Sequence, residues 1–257
     1  MKIKFMGSGS AHDPERGNVS FLLQSLAKNE NKTSLLIDCG FMNVAQYFKQ
    51  DLGTEILDAV YISHSHADHI MGLIPLISKM NASSRSKKLV IIGHQGLKDK
   101  YLRIEQITER DLPNIRKFEL EFVESNKILY LNDLRFDFAR TSHGSYTNYS
   151  VKITQNNISL FYSGDGKLLP ESASLMMDSD FIIANTATYS DNTPAHSTIQ
   201  EILNLAPDIK RLKAIYFTHI LPNICRNELR TLININSQLF KIYFPEPLDE
   251  FYLDPLI

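Results

Sequence analysis

Tryptophan is absent, only Cys39 and Cys225 offer a thiol, and no apolar run approaches the roughly 20 residues that cross a bilayer. Each shortage excludes something. Two cysteines so far apart in the chain make no disulfide framework, so the fold must rest on its own core, and a reducing compartment suits them. Charge is nearly balanced at net −2, which removes the global positive field that gathers nucleic acid. Two basic clusters, RSKK at 85–88 and KRLK at 210–213, read as solvated loops or faces. The opening MKIKFMGSGSAHD turns to Gly and Ser after six residues, too early for the apolar segment of a secretory signal, so a cytoplasmic protein is expected.

What is present is ordinary for a globular chain: 257 residues, 43% hydrophobic and 22% charged, with no repeat, linker or low-complexity tract. A single domain over 1–257 is the simplest reading. Short apolar runs bounded by Gly, Asn or Lys predict strands at 2–6, 20–26, 34–40, 57–63 and 88–93. Period-2 alternation predicts a further strand at 117–124, then a series of strands with turns at Asn132-Asp133 and Asn156-Asn157. Later strands are expected at 180–186 and 213–219. Helical spacing marks 43–53, 68–80, 96–107, 197–206 and 227–240, with Gly72 and Pro75 near the start or a kink of the second. Such mixed order predicts an α/β fold of two sheets with outer helices.

One stretch stands out. YISHSHADHI, residues 61–70, ends a buried strand and holds three of the chain's eight histidines beside an aspartate. His64 and His66, two apart, can point the same way as on a strand, while Asp68 and His69 turn onto the start of a helix. One short loop can thus serve two metal centres, because imidazole suits zinc and a carboxylate adds charge neutralisation. His143 in TSHGS, Asp165 in YSGDG and His219 in YFTH repeat the pattern, each a ligand-capable group at the end of a strand.

The order GSGSA (7–11), LIDCG (36–40), SHSHADH (63–69), then His143, Asp165 and His219 resembles the metallo-β-lactamase superfamily over almost the whole chain. The resemblance implies a four-layer αββα sandwich, with metals at one edge between the sheets. It places His64, His66 and His143 on one ion, Asp68, His69 and His219 on a second, and Asp165 between the two. Asp38 matches a position that orients the cluster through hydrogen bonds. The implied cofactor is a pair of zinc ions, with manganese or iron also compatible with nitrogen and oxygen donors.

His196 narrows the chemistry. TPAHSTIQEILNLA (193–206) sets it before a helix whose N-cap is Ser197 or Thr198. Its place between Asp165 and His219 resembles ribonuclease Z and related phosphodiesterases, which implies a histidine at the scissile phosphate, with Asp68 handling the attacking water. The GLIPLI that follows the histidine motif also resembles ribonuclease Z. Two departures from ribonuclease Z point to a smaller substrate. Residues 144–164 suffice for two paired strands and no RNA-gripping arm, and IIANTATYS lacks the glutamate expected near its strand end. The expected substrate is therefore a small nucleotide-type phosphodiester, most readily a cyclic nucleotide, as in compact relatives without an arm. Transfer RNA 3′-end cleavage, or a thioesterase or lactonase on the same fold, are the alternatives. Tyr146, Tyr149 and Tyr189 are candidates to stack on a base, and His12 to line the pocket, whereas His94 reads as structural or exposed. Many relatives are homodimers, and MGLIPLISKM offers an apolar contact face.

Overall fold

The computed structural model describes residues 1–26, 32–126, 128–191, 193–233 and 239–254, which build two sheets packed face to face with helices on both outer sides. The first sheet contains β1 (Lys2–Gly7), β2 (Ser20–Gln24), β3 (Ser34–Ile37), β4 (Ala59–Ile62), β5 (Leu89–Gly93) and β6 (Leu120–Glu124). The second contains β7 (Leu129–Leu131), β8 (Leu134–His143), β9 (Tyr146–Gln155), β10 (Ile158–Tyr162), β11 (Lys167–Leu168), β12 (Phe181–Asn185), β13 (Ala214–Thr218) and β14 (Lys241–Tyr243). A last strand, β15 (Glu250–Tyr252), returns to the first sheet beside β1. The strand orders are β15-β1-β2-β3-β4-β5-β6 and β11-β8-β9-β10-β12-β13-β14, with β7 added on β8. Strands β3 to β6 run parallel, as do β10, β12, β13 and β14.

Alternation along the strands sorts side chains between layers. Phe5, Phe21, Leu35 and Tyr61 of the first sheet meet Phe136, Ile153, Tyr162 and Tyr216 of the second in the central core. Their neighbours Leu22, Leu36, Val60 and Ile91 face the other way, onto α1 (Asn43–Lys49), α3 (Leu73–Ala82), α4 (Leu97–Thr108) and α5 (Leu112–Ile115). On the far side Phe161, Ile182, Ile215 and Phe217 meet α6 (Pro170–Met177), α7 (Ile199–Leu205) and α8 (Arg226–Ile233). Strands buried on both faces need continuous apolar runs, which is why β4, β5, β12 and β13 lack clean alternation. Each fully buried Leu, Ile or Phe contributes about 1.5–3 kcal/mol of transfer free energy. The layers are helix, sheet, sheet, helix, as expected.

Several local expectations change. The helix expected over 68–80 is two pieces, α2 (Ala67–Ile70) and α3. The His69 carbonyl accepts from Cys39 N at 2.8 Å and Gly72 N donates to Cys39 O at 2.8 Å, so both peptide groups leave the helical ladder for β3's exit. The apolar side of α3, Leu73, Leu76, Ile77 and Met80, is buried in the core, and of the expected contact stretch Met71 is exposed. The first helix stops at Lys49, ahead of turns at Asp51 and Gly53 with positive φ. The last described helix is Arg226–Ile233, and 234–238 of the expected span lie outside the described residues. Arg85, taken from sequence for a solvated residue, is fully buried. Among the described residues no helix is long and apolar enough to cross a membrane.

Within each sheet the residues singled out in sequence sit at one edge. His64 follows β4 by two residues, His143 ends β8, Asp165 follows β10, and His219 follows β13, all strands of one direction within their sheet. Carboxyl ends of parallel strands are where open α/β sheets place ligands.

Candidate metal centre

The site begins with Asp38, which leaves β3 in the left-handed region at φ 52, a conformation Asp tolerates. There its carboxylate accepts from Ser63 N at 2.8 Å, Ser63 Oγ at 2.9 Å, His69 Nδ1 at 2.8 Å and Tyr162 Oη at 2.6 Å. Gly40 lets α2 close onto this floor, because a β-carbon there would collide with the Asp68 carbonyl. Opposite, the Asp165 backbone carbonyl is held by the Thr141 hydroxyl and the Asn148 amide. The GSGSA segment serves β13: Ser8 O accepts His219 N at 3.0 Å and Arg226 Nη2 at 3.2 Å, fixing His219 at φ 62.

These supports decide the tautomers. Ser63 Oγ gives its one proton to Asp38, so it accepts from His64 Nδ1 at 3.1 Å and leaves His64 Nε2 with a lone pair. His143 Nδ1 donates to Ala195 O at 2.7 Å, and His69 Nδ1 donates to Asp38, leaving their Nε2 atoms equally bare. His64 Nε2 and His143 Nε2 lie 2.8 Å and 3.0 Å from His66 Nδ1. Two bare ring nitrogens converging on a third within 3.0 Å make an arrangement that could hold a metal ion. On the other side His69 Nε2 and His219 Nε2 each stand 3.3 Å from Asp68 Oδ2 and 3.3 Å from Asp165 Oδ2. His69 Nε2 is buried and makes no hydrogen bond.

Two groups result, His64, His66, His143 with Asp165, and Asp68, His69, His219 with Asp165, each with ligand-capable atoms within 4.8 Å of one another. Either could hold a metal ion, and Asp165 belongs to both. All seven residues read from sequence are thereby brought together.

Electrostatics fit cation binding. Burial pushes His64 well below the ordinary imidazole range and lowers His66 too, so both offer neutral nitrogen. Burial would also lower His69 and His219, but Asp165 with Asp38 or Asp68 outweighs it and raises both. Burial alone would raise Asp68, yet the His219 hydrogen bond and the pull of the adjacent His69 and His219 rings hold it well below the carboxylate range. Asp165 follows the same logic.

His196 joins the cluster. Its ring stacks on His219 at 5.2 Å and stands edge-on to His143 at 4.9 Å, while its Nδ1 is buried without a partner. Burial lowers its pKa to about 4, so it is neutral near pH 7. The segment is fixed by Ser197 Oγ bonding Gly166 O at 3.2 Å and by Thr198, the N-cap of α7 with Glu201 in a capping box. Tyr146, 41% exposed at the β8–β9 turn, lays its ring 3.8 Å from that of His66. Tyr149 works through its backbone, which bonds Ser63 O and the Tyr61 hydroxyl, and Tyr189 packs on the outer helical layer. His12 is exposed on the β1–β2 loop, outside both groups.

Residues that the sequence did not flag complete the floor. Tyr162 and Asn185 look like plain strand residues, yet Asn185 Nδ2 donates to Tyr162 Oη at 2.9 Å and to Asp165 Oδ1 at 2.7 Å. Of its two expected roles, structural or exposed, His94 takes the structural one: it is buried, and its Nε2 accepts from Ser65 Oγ at 2.5 Å, bracing the histidine loop from behind. Only the placement of Asn185 at a strand end, the same cue carried by His143 and His219, could have drawn attention to it.

Residues 1–232 match the sequence model of the Anti-Pycsar protein Apyc1 family. The chain belongs to that family. This Apyc1-family chain is also 33% identical over 127 residues to a ribonuclease Z of Metallosphaera sedula, covering 49% of the chain and 40% of that protein. It therefore spans about two fifths of the length of the curated relatives it matches. Its fold matches the metallo-β-lactamase fold protein YhfI from Bacillus subtilis with TM-score 0.80 and 20% identity, covering 97% of this chain and 98% of that one. It matches the short form of human tRNase Z with TM-score 0.77 and 18% identity, covering 99% and 100%. The αββα sandwich of this Apyc1-family chain is the metallo-β-lactamase fold.

Proposed function

We propose that the chain is a dinuclear metal-dependent phosphodiesterase acting on a small nucleotide-type phosphodiester of the cyclic-nucleotide class. The observation that carries the hydrolase reading is the Asp165 carboxylate, which belongs to both ligand groups at once. Two zinc ions, or manganese or iron ions suited to the same donors, would act there as Lewis acids on phosphoryl oxygens and lower the proton affinity of a water.

The chain's own groups supply the rest. Asp68, held ionised by His69 and His219, orients the attacking water and receives its proton. His196 is neutral by itself, but a phosphodiester anion beside it favours the imidazolium, whose proton then passes to the leaving oxygen. Ala195 O fixes His143 and lies one residue from His196, so the α7 entry couples the acid to the metal ligands.

Substrate size is argued from the chain between His143 and Asp165. Strands β9 and β10 use nearly all of it, and the β8–β9 connection is a tight turn pairing His143 with Tyr146. No length remains there for an element that grips a large RNA. Tyr146 offers an exposed ring beside His66, where a base could stack. Membership in a family of metallo-β-lactamase-fold cyclic nucleotide phosphodiesterases supports the same class. A second reading, a tRNA 3′-end endonuclease, is favoured by the name of the curated ribonuclease Z relatives.

The test is a substrate panel with zinc- or manganese-loaded protein: bis-p-nitrophenyl phosphate, cyclic nucleotides and precursor tRNA. Hydrolysis of the generic diester and at least one cyclic nucleotide is expected. Cleavage of precursor tRNA alone would overturn the substrate class, and full activity of His196→Ala on its best substrate would favour a thioesterase or lactonase.

A further inference from the structure

The two oxygens of Asp165 have different surroundings. Oδ2 stands 3.3 Å from His69 Nε2, 3.3 Å from His219 Nε2 and 3.8 Å from His64 Nε2. Oδ1 accepts from Asn185 Nδ2 at 2.7 Å. One oxygen therefore faces the ligands of both groups while the other is tied to the protein.

Asn185 is itself locked. Its Oδ1 accepts from Thr218 Oγ1 at 2.7 Å, and its amide protons go to Asp165 Oδ1 and to Tyr162 Oη. Tyr162 Oη can accept because its own proton goes to Asp38. Turning the amide over would set its oxygen against the Asp165 carboxylate, so one orientation wins. The side chain is fully buried, where a hydrogen bond left unmade cannot be replaced by water. An amide also suits the task electrically. It fixes one carboxylate oxygen yet adds no positive charge, so the full negative charge of Asp165 stays available to cations. A Lys or Arg here would compete with them, and a carboxylate would repel Asp165.

We propose that Asn185 is a positioning residue that commits Asp165 Oδ1 to the protein and reserves Oδ2 for sharing between the two ligand groups, and so sets how tightly the second cation is held relative to the first. The inference rests on the dinuclear reading above. Without Asn185, Asp165 is free to turn and give both oxygens to one group. One cation then keeps its affinity while the other loses its shared oxygen.

The test is zinc titration of chelator-stripped protein against a competing chromogenic chelator, with total zinc read by elemental analysis and folding read by circular dichroism. Wild type should take up two equivalents in resolvable steps. Asn185→Ala should keep one step near the wild-type affinity and weaken the other by about 10–100-fold. Equal weakening of both steps with a lower apo melting temperature would mark a merely structural residue and overturn the proposal, as would two unchanged steps. If Asn185→Ala does not fold, Thr218→Val carries the test. It keeps both Asn185 donors but removes the bond that anchors the amide oxygen, so Asn185 holds Asp165 Oδ1 less firmly. The same step should weaken by a smaller factor, and unchanged steps would overturn the proposal. A wild type that binds fewer than two equivalents would instead defeat the dinuclear reading, which distinguishes the two failures.

Discussion

Tyr162 Oη donates to Asp38 Oδ2 at 2.6 Å, joining β10 of one sheet to the exit of β3 in the other beneath the two candidate ligand groups. Because the same oxygen also accepts from His69 Nδ1, a single carboxylate sets a histidine tautomer and holds the two sheets in register at the site.

Replacing Asp38 by Asn keeps a residue that tolerates the left-handed backbone but puts an amide where His69 Nδ1 and Tyr162 Oη both donate. Some of those bonds must break, and His69 loses the partner that keeps Nε2 bare. Metal affinity should fall about 10–100-fold in a chelator competition, with the circular dichroism spectrum retained.

Asp68 touches both raised histidines and reads as the group that manages the attacking water. Asp68→Ala should lower kcat on bis-p-nitrophenyl phosphate by about 10²–10⁴-fold, the usual worth of a positioned acid or base. Activity within a factor of a few of wild type would remove Asp68 from the mechanism.

Metal uptake should release protons. In the metal-free protein Asp165 with Asp38 raises His69, and Asp165 with Asp68 raises His219, above the ordinary imidazole range, so a cation competes with a proton at each Nε2. Cations must displace those protons, and affinity should rise with pH through that range. Calorimetric zinc titration in buffers of different ionisation enthalpy measures the release directly. For the apo protein the sign reverses: the stabilisation from these two groups is full below about 6.5 and is lost as pH rises through their folded values.

Arg85 is fully buried and donates to the carbonyls of Thr54, Leu57 and Lys88. Arg85→Leu strands those carbonyls, and at about 1–3 kcal/mol for each unsatisfied group a loss of several kcal/mol in urea unfolding is expected. The activity of the remaining folded fraction should be unchanged.

The strands and the seven clustered residues were legible because their signals are local: apolar runs bounded by turn residues, and imidazole or carboxylate groups at the ends of those runs. What stayed hidden depends on distant partners. The break between α2 and α3 comes from Cys39 taking two peptide groups, which no helical pattern in 67–82 reveals. Helix α6 opens on Pro170 with few apolar positions, and the short edge strands β14 and β15 carry only three residues each. Arg85 looked solvated because its carbonyl partners come from a loop some 30 residues earlier as well as from Lys88. Asn185 and Tyr162 were invisible for the same reason, since their bonds reach Asp165, Thr218 and Asp38.

Anomalous diffraction from a zinc-loaded crystal tests the central claim most directly. Two peaks about 3.5–4 Å apart are expected. One should lie among His64, His66 and His143, the other among Asp68, His69 and His219, with Asp165 Oδ2 between them. A single peak, or zinc bound away from Asp165, would contradict the account.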